Sequence, residues 1–91
     1  MAGGTGTATN VPAAITTTQL LAANSNRLGF RIQNESNVPL YVKYGTAASL
    51  TSYTAKVLPD GWLAEDGYSG VIHGIWPAGA TGNARVTEIT P

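Results

Sequence analysis

The chain has 91 residues, 43% hydrophobic and 11% charged, with five Lys+Arg against five Asp+Glu and no cysteine. One domain of this length buries somewhat over ~60% of its unfolded surface, so it can build a single modest core. Zero net charge argues against a nucleic-acid partner, the missing cysteines exclude disulfide staples and thiolate-held metal, and no apolar run approaches the ~18–20 residues of a membrane span.

Residues 1–10 read MAGGTGTATN. Gly, Ala and Thr in such density cannot build a core, so residues 1–12 are expected to form a flexible N-terminal arm, either solvated or laid on a neighbouring subunit. No basic segment followed by an apolar run stands here, and no signal peptide is expected. Residues 13–91 form the expected domain. Its first strand is ITTTQLL, residues 15–21. The adjacent Leu20 and Leu21 break period-two alternation, which an edge strand or a terminal bulge tolerates. A helix over residues 19–23 is the competing reading, opposed by Thr16-Thr17-Thr18.

Residues 26–45, NRLGFRIQNESNVPLYVKYG, show the plan most clearly. Leu28, Phe30 and Ile32 alternate with Arg27, Gly29, Arg31 and Gln33, as in a half-buried strand. Asn34-Glu35-Ser36-Asn37 then reads as a turn, and Leu40, Val42 and Tyr44 resume the alternation with Tyr41 and Lys43 on the other face. Two such runs joined by a short polar loop predict an antiparallel hairpin. Residues 46–52 read as a loop with room for one helical turn at Ala47-Ala48. Tyr53, Ala55 and Val57 predict the next strand, Pro59-Asp60-Gly61 a turn, and residues 62–66 a short strand. VIHGIW (71–76) and residues 84–89 complete the set. Six or seven short strands with turns every eight to twelve residues predict an all-β, antiparallel sandwich or small barrel.

The chemistry-bearing residues are sparse. His73 is the only histidine, and metal sites need several converging ligands. Asp60, Glu65 and Asp66 share one region, but their spacing is not that of a calcium loop. Gly67-Tyr68-Ser69-Gly70 falls short of G-x-S-x-G, and Gly3-Gly4-Thr5-Gly6 lacks the lysine of a phosphate loop. No catalytic, cofactor or metal residues are assigned, and a non-enzymatic role is expected. Contact residues are the better prospect: Val11 and Pro12 where arm meets domain, Tyr41 facing away from Leu40 and Val42, Trp62, His73 and Trp76. Ile72 and Trp76 share one face of their strand, with Val71, His73 and Ile75 on the other. Trp76 either fills the core or belongs to a subunit contact. A platform of Trp62, Tyr41 and Tyr68 for stacking sugars is a further reading.

The strings Leu20-Leu21-Ala22-Ala23-Asn24-Ser25-Asn26-Arg27, Ile32-Gln33-Asn34-Glu35-Ser36 and Pro39-Leu40-Tyr41-Val42-Lys43-Tyr44-Gly45 resemble small virion structural proteins of tailed bacteriophages. Residues 67–76 and Ala84-Arg85-Val86-Thr87-Glu88 look like the closing half of the same pattern. The resemblance covers about residues 15–89 and brings no catalytic signature. It implies a β-sandwich or jelly-roll-like subunit, made in the host cytoplasm and carried on the virion surface. The implied partner is the major capsid protein or another virion protein, in a homo-oligomer with a trimer favoured and without nucleic acid or membrane. Capsid decoration or cement is the leading role. A head-fibre, tail or head–tail junction subunit is the alternative, and a carbohydrate-binding module is the alternative of a different class.

Overall fold

The computed structural model describes residues 4–91. Within them the chain is all-β, with no helix: β1 (Thr5–Pro12), β2 (Thr18–Leu21), β3 (Gly29–Ser36), β4 (Leu40–Tyr44), β5 (Ala55–Val57), β6 (Trp62–Asp66), β7 (Ile72–Ile75) and β8 (Gly82–Thr90). They form two four-stranded sheets, ordered β1-β8-β3-β6 and β2-β7-β4-β5, in which all neighbours are antiparallel. Both sheets feed one buried cluster. Phe30, Ile32, Ala84 and Val86 come from the first sheet, and Leu20, Leu40, Val42, Val57 and Ile72 from the second, with Trp76 just beyond β7. Gly74 makes room in it: a Cβ there would stand 2.9 Å from Leu20 Cδ1 and 3.0 Å from Leu40 Cδ1.

Eight strands stand where six or seven were expected. The added one is β1, in the segment read as a flexible arm. Its backbone pairs with β8 in unbroken register from Thr5↔Thr90 to Pro12↔Asn83. Threonines at alternate positions favour extended backbone, and the pairing needs no large side chain. Met1, Ala2 and Gly3 of the expected arm lie outside the described residues.

The expected hairpin over residues 28–44 is also corrected. β3 lies between β8 and β6, whereas β4 lies between β7 and β5 in the other sheet. Burial follows the alternation, since Phe30, Ile32, Leu40 and Val42 are all fully buried. These residues approach the core from different sheets. Leu28 does not join them; it precedes β3 and is exposed. No helical turn forms at residues 47–48, where Ala47 has φ 59°, and Tyr53 lies outside β5. In β2 the register shifts between Gln19 and Leu21. That shift explains the adjacent leucines: Leu20 is in the core and Leu21 packs against it.

The sheet change after β3 is fixed by Asn34, a fully buried polar residue that continues the inward series Phe30, Ile32. Its amide Nδ2 donates to the carbonyls of Val38 (2.8 Å) and Val57 (2.9 Å). Its Oδ1 accepts from the Ser36 amide (3.1 Å) and hydroxyl (2.6 Å), and Trp76 Nε1 stands 3.5 Å away. Its backbone accepts from Asp60 N–H and donates to Gly61 O. One side chain thus ties the 37–39 corner to the end of β5, while its backbone holds the 58–61 turn. Beside it Asn37 exchanges hydrogen bonds with Gly79 and Thr81.

Arg27 fastens the loops at the other strand ends. Its buried guanidinium donates to Glu88 Oε2 (3.0 Å), to the carbonyls of Tyr68 (3.2 Å) and Gly70 (2.8 Å), and to Ala22 O. The β2–β3 loop, the β6–β7 loop and β8 therefore meet on one charge. Asn34→Ala should cost about 2–4 kcal/mol in urea unfolding, because buried carbonyls and amides lose their partners together. Arg31→Ala, which removes an exposed pair with Asp66 at 3.3 Å and a hydrogen bond to the Phe30 carbonyl at 2.8 Å, should cost less, about 1 kcal/mol. Equal losses for the two variants would contradict the role given to Asn34.

Candidate interaction surfaces

With the core side of each strand fixed by burial, alternation assigns the outer faces. On the β1-β8-β3-β6 sheet the register lines up Asn10, Arg85, Gln33 and Trp62 across all four strands. Trp62 ends this row at 65% exposure. Arg85 is held by Glu35 at 3.5 Å, and Asn83 donates to the same carboxylate at 3.1 Å. A shallow polar groove on this sheet is lined by Arg31, Ala64, Glu65 and Asp66.

The outer face of the β2-β7-β4-β5 sheet has a different character. Its cross-strand rows are Gln19, His73 and Lys43, then Ile75, Tyr41 and Lys56. Tyr41 meets Tyr53 edge to face at 4.8 Å, and Lys56 Nζ lies 5.6 Å from the Tyr41 ring. Lys43 donates to Ser52 Oγ at 2.7 Å. His73 Nδ1 lies 2.9 Å from Thr17 Oγ1, which also accepts from the Ala48 amide, so this histidine pins a loop. No carboxylate stands on any strand of this sheet. The three arginines each pair with a carboxylate, Arg27 with Glu88, Arg31 with Asp66 and Arg85 with Glu35. The zero net charge therefore covers a segregated distribution. Lysines with aromatic rings mark one outer face, and arginine–carboxylate pairs mark the other sheet.

The six residues singled out from sequence do not converge. Trp62 and Pro12 are exposed on the first sheet's side, and Tyr41 and His73 lie on the outer face of the second. Val11 packs against the core. Trp76, at 1% exposure, is a core residue, which corrects its placement among contact residues. Its parity with the fully buried Ile72 accounts for this. The platform of Trp62, Tyr41 and Tyr68 is likewise dispersed, since Tyr68 stacks on Tyr44 at 4.6 Å and donates to Val71 O.

Of the three carboxylates, Glu65 and Asp66 line the groove beside Arg31, and Asp60 is not among its lining residues. Asp60 occupies the 58–61 turn with φ 63°. Asp66 faces Arg31, and Glu65 accepts from the Tyr44 hydroxyl at 3.1 Å. Among the described residues no three of His, Cys, Asp and Glu are grouped so as to hold a metal ion. Sequence reading missed the two polar residues that organise the strand ends. Asn34 has the even parity of Phe30 and Ile32, and that parity was the available signal. Arg27 gave none, because a buried guanidinium and a solvated one look alike in sequence.

The Tyr44 phenol is pushed up from 10.0 to about 12 by burial first, then by its hydrogen bond to Glu65 and that residue's charge. The protonated phenol is the form the fold favours. Its stabilising contribution is whole below pH 10 and is lost as pH rises through about 12. Absorbance titration should find one phenol ionising near pH 12, moving down in Glu65→Gln while remaining above 10, since burial is the leading cause. No movement in that variant would remove Glu65 from the explanation.

No protein family, curated protein or solved structure matched the chain in the comparisons made with each.

Proposed function

We propose that the two sheets stack as a jelly-roll sandwich, and that the protein is a non-enzymatic virion structural subunit of the tailed-phage type which decorates the capsid. The observation that carries this reading is the strand order. Two antiparallel sheets ordered 1-8-3-6 and 2-7-4-5, with every connection but β4–β5 passing between sheets, follow the wrapped ordering of an eight-stranded jelly roll. That architecture recurs in viral capsid proteins and lectins. The resemblance of residues 15–89 to small phage virion proteins selects the first of these two.

The mechanism is burial of area between neighbouring capsid subunits. The protein is homo-oligomeric in this reading, and its partner is the major capsid protein. Trp62 is the anchor, because exposed tryptophans that enter a partner's pocket carry a large share of interface energy. A stable contact of ~1,200–2,000 Å² raises the work of pulling the bridged subunits apart. A small domain gains from the same contact, because binding stabilises the folded state by mass action.

A carbohydrate-binding module is the second reading. It draws on the same lectin-bearing architecture and on Trp62, which has Gln33 beside it across the strands. Light scattering separates the two. The expected result is saturable binding to undecorated heads at a fixed ratio to the major capsid protein, weakened at least tenfold by Trp62→Ala with unchanged thermal unfolding. Decorated heads should also rupture at higher temperature than stripped ones. Failure to bind heads, with binding to a glycan array lost on Trp62→Ala, would transfer the assignment to the sugar-binding reading.

A further inference from the structure

The four sheet edges are not alike. β2 is four residues long and its register shifts. β5 is three residues long and carries Lys56. β6 is five residues long and carries Glu65 and Asp66. Short length, irregularity and charge are the devices by which an edge avoids pairing with another chain. β1 has none of these three, and its one blocking feature is Pro12 at its last position. It runs for eight residues, its sequence TGTATNVP is uncharged, and its register against β8 is unbroken. It is also an outer strand of its sheet, so among the described residues its backbone groups that face away from β8 have no strand beside them.

A second feature bears on the same strand. Thr5, Thr7, Thr9 and Val11 are opposite Thr90, Glu88, Val86 and Ala84, and therefore lie on the core side of the sheet. Of these only Val11 packs against the core, while the three threonines are exposed. β1 thus runs out past the cover of the second sheet. The fold holds it chiefly by backbone hydrogen bonds and leaves both of its faces and one edge open along residues 5–10.

We propose that β1 is a self-association strand, pairing antiparallel with β1 of a second copy about a two-fold axis to make one continuous eight-stranded sheet. The occupant is identified by self-complementarity. Antiparallel pairing of a strand with itself is isologous, so each copy closes the other's open edge. An uncharged strand places no like charges opposite each other, and a chain of zero net charge sets up no overall repulsion between copies. Pro12 has no N–H to give, so the pairing run is residues 5–11, a seam about 24 Å long at ~3.4 Å per residue. Its midpoint is Ala8, which faces its own copy across the axis. This inference rests on the edge alone and stands whether or not the capsid reading holds. It favours a two-fold assembly over the trimer that the phage resemblance implies.

Sedimentation equilibrium on the full chain tests it. The wild type should be a dimer. Ala8→Lys and Ala8→Glu each set like charges against each other at the axis and should raise the dimer dissociation constant at least tenfold. Their thermal unfolding should stay close to that of the wild type extrapolated to low concentration, because Ala8 is exposed. Mixing the two variants in equal amounts should restore a dimer, since Lys now faces Glu. Hydrogen exchange gives a second measure that needs no substitution: alternate amides of residues 5–11, those pointing away from β8, should gain protection as concentration rises. A monomeric wild type, a trimer, or a dimer indifferent to both Ala8 variants would each overturn the proposal. So would concentration-independent exchange along β1.

Discussion

Asn34 places an amide side chain where the alternation of β3 would put a hydrophobic one, and the fold is arranged to satisfy it. A buried amide without partners would cost several kcal/mol. Here both its donor and its acceptor atoms are used, on Val38, Val57 and Ser36, with the Trp76 indole nearby. These partners belong to a corner, the end of a strand in the other sheet and the segment after β7. The side chain is therefore satisfied only when β3 has turned out of its own sheet and both sheets are in place. A folding-back hairpin would leave it without the Val57 carbonyl, so Asn34 favours the sheet-crossing topology over the local one.

Arg27 does comparable work at the opposite strand ends with a charge instead of an amide. Removing one partner from a buried ion pair is costly, whereas the intact pair contributes little net stability. Its value lies in specifying where three segments meet. Outside these polar clusters and the shared core the two outer faces differ: Lys43, Lys56, Tyr41 and His73 mark one, while Trp62 and the Arg31 and Arg85 pairs mark the other. Gly82 belongs to the same arrangement. With φ 101° and no room for a Cβ against the Glu35 carbonyl, it lets β8 begin tight against the end of β3.

Much of the architecture was legible because burial obeys parity. Phe30, Ile32, Leu40 and Val42 were placed on the core face by alternation, and all are buried, while Leu28 of the same run is exposed. Partnership was not legible. Period two reports which face a residue takes, and it is the same whether two strands lie side by side in one sheet or approach a core from different sheets. The predicted hairpin failed for that reason. β1 was missed because its pairing is carried by backbone, and its one sequence signal, threonine at alternate positions, is weak beside the intervening Gly and Ala. Of the candidate contact residues, Trp62, Tyr41 and His73 keep a place on the outer faces. Trp76 does not, because adjacent apolar residues on both faces of VIHGIW hid which side was core until the second sheet was in view.

Internal polar clusters hold the strand ends, and the proposed contacts fall on the exposed faces and the β1 edge. Hydroxyl-radical footprinting of the protein, alone and mixed with undecorated phage heads, tests this most directly, since mass spectrometry reads each residue separately. The account predicts strong oxidation of Trp62 and none of Trp76 in the free protein, with Trp62 protected once heads are added. Undiminished oxidation of Trp62 in the presence of heads would contradict the proposed contact, and oxidation of Trp76 comparable to that of Trp62 would contradict the core on which it rests.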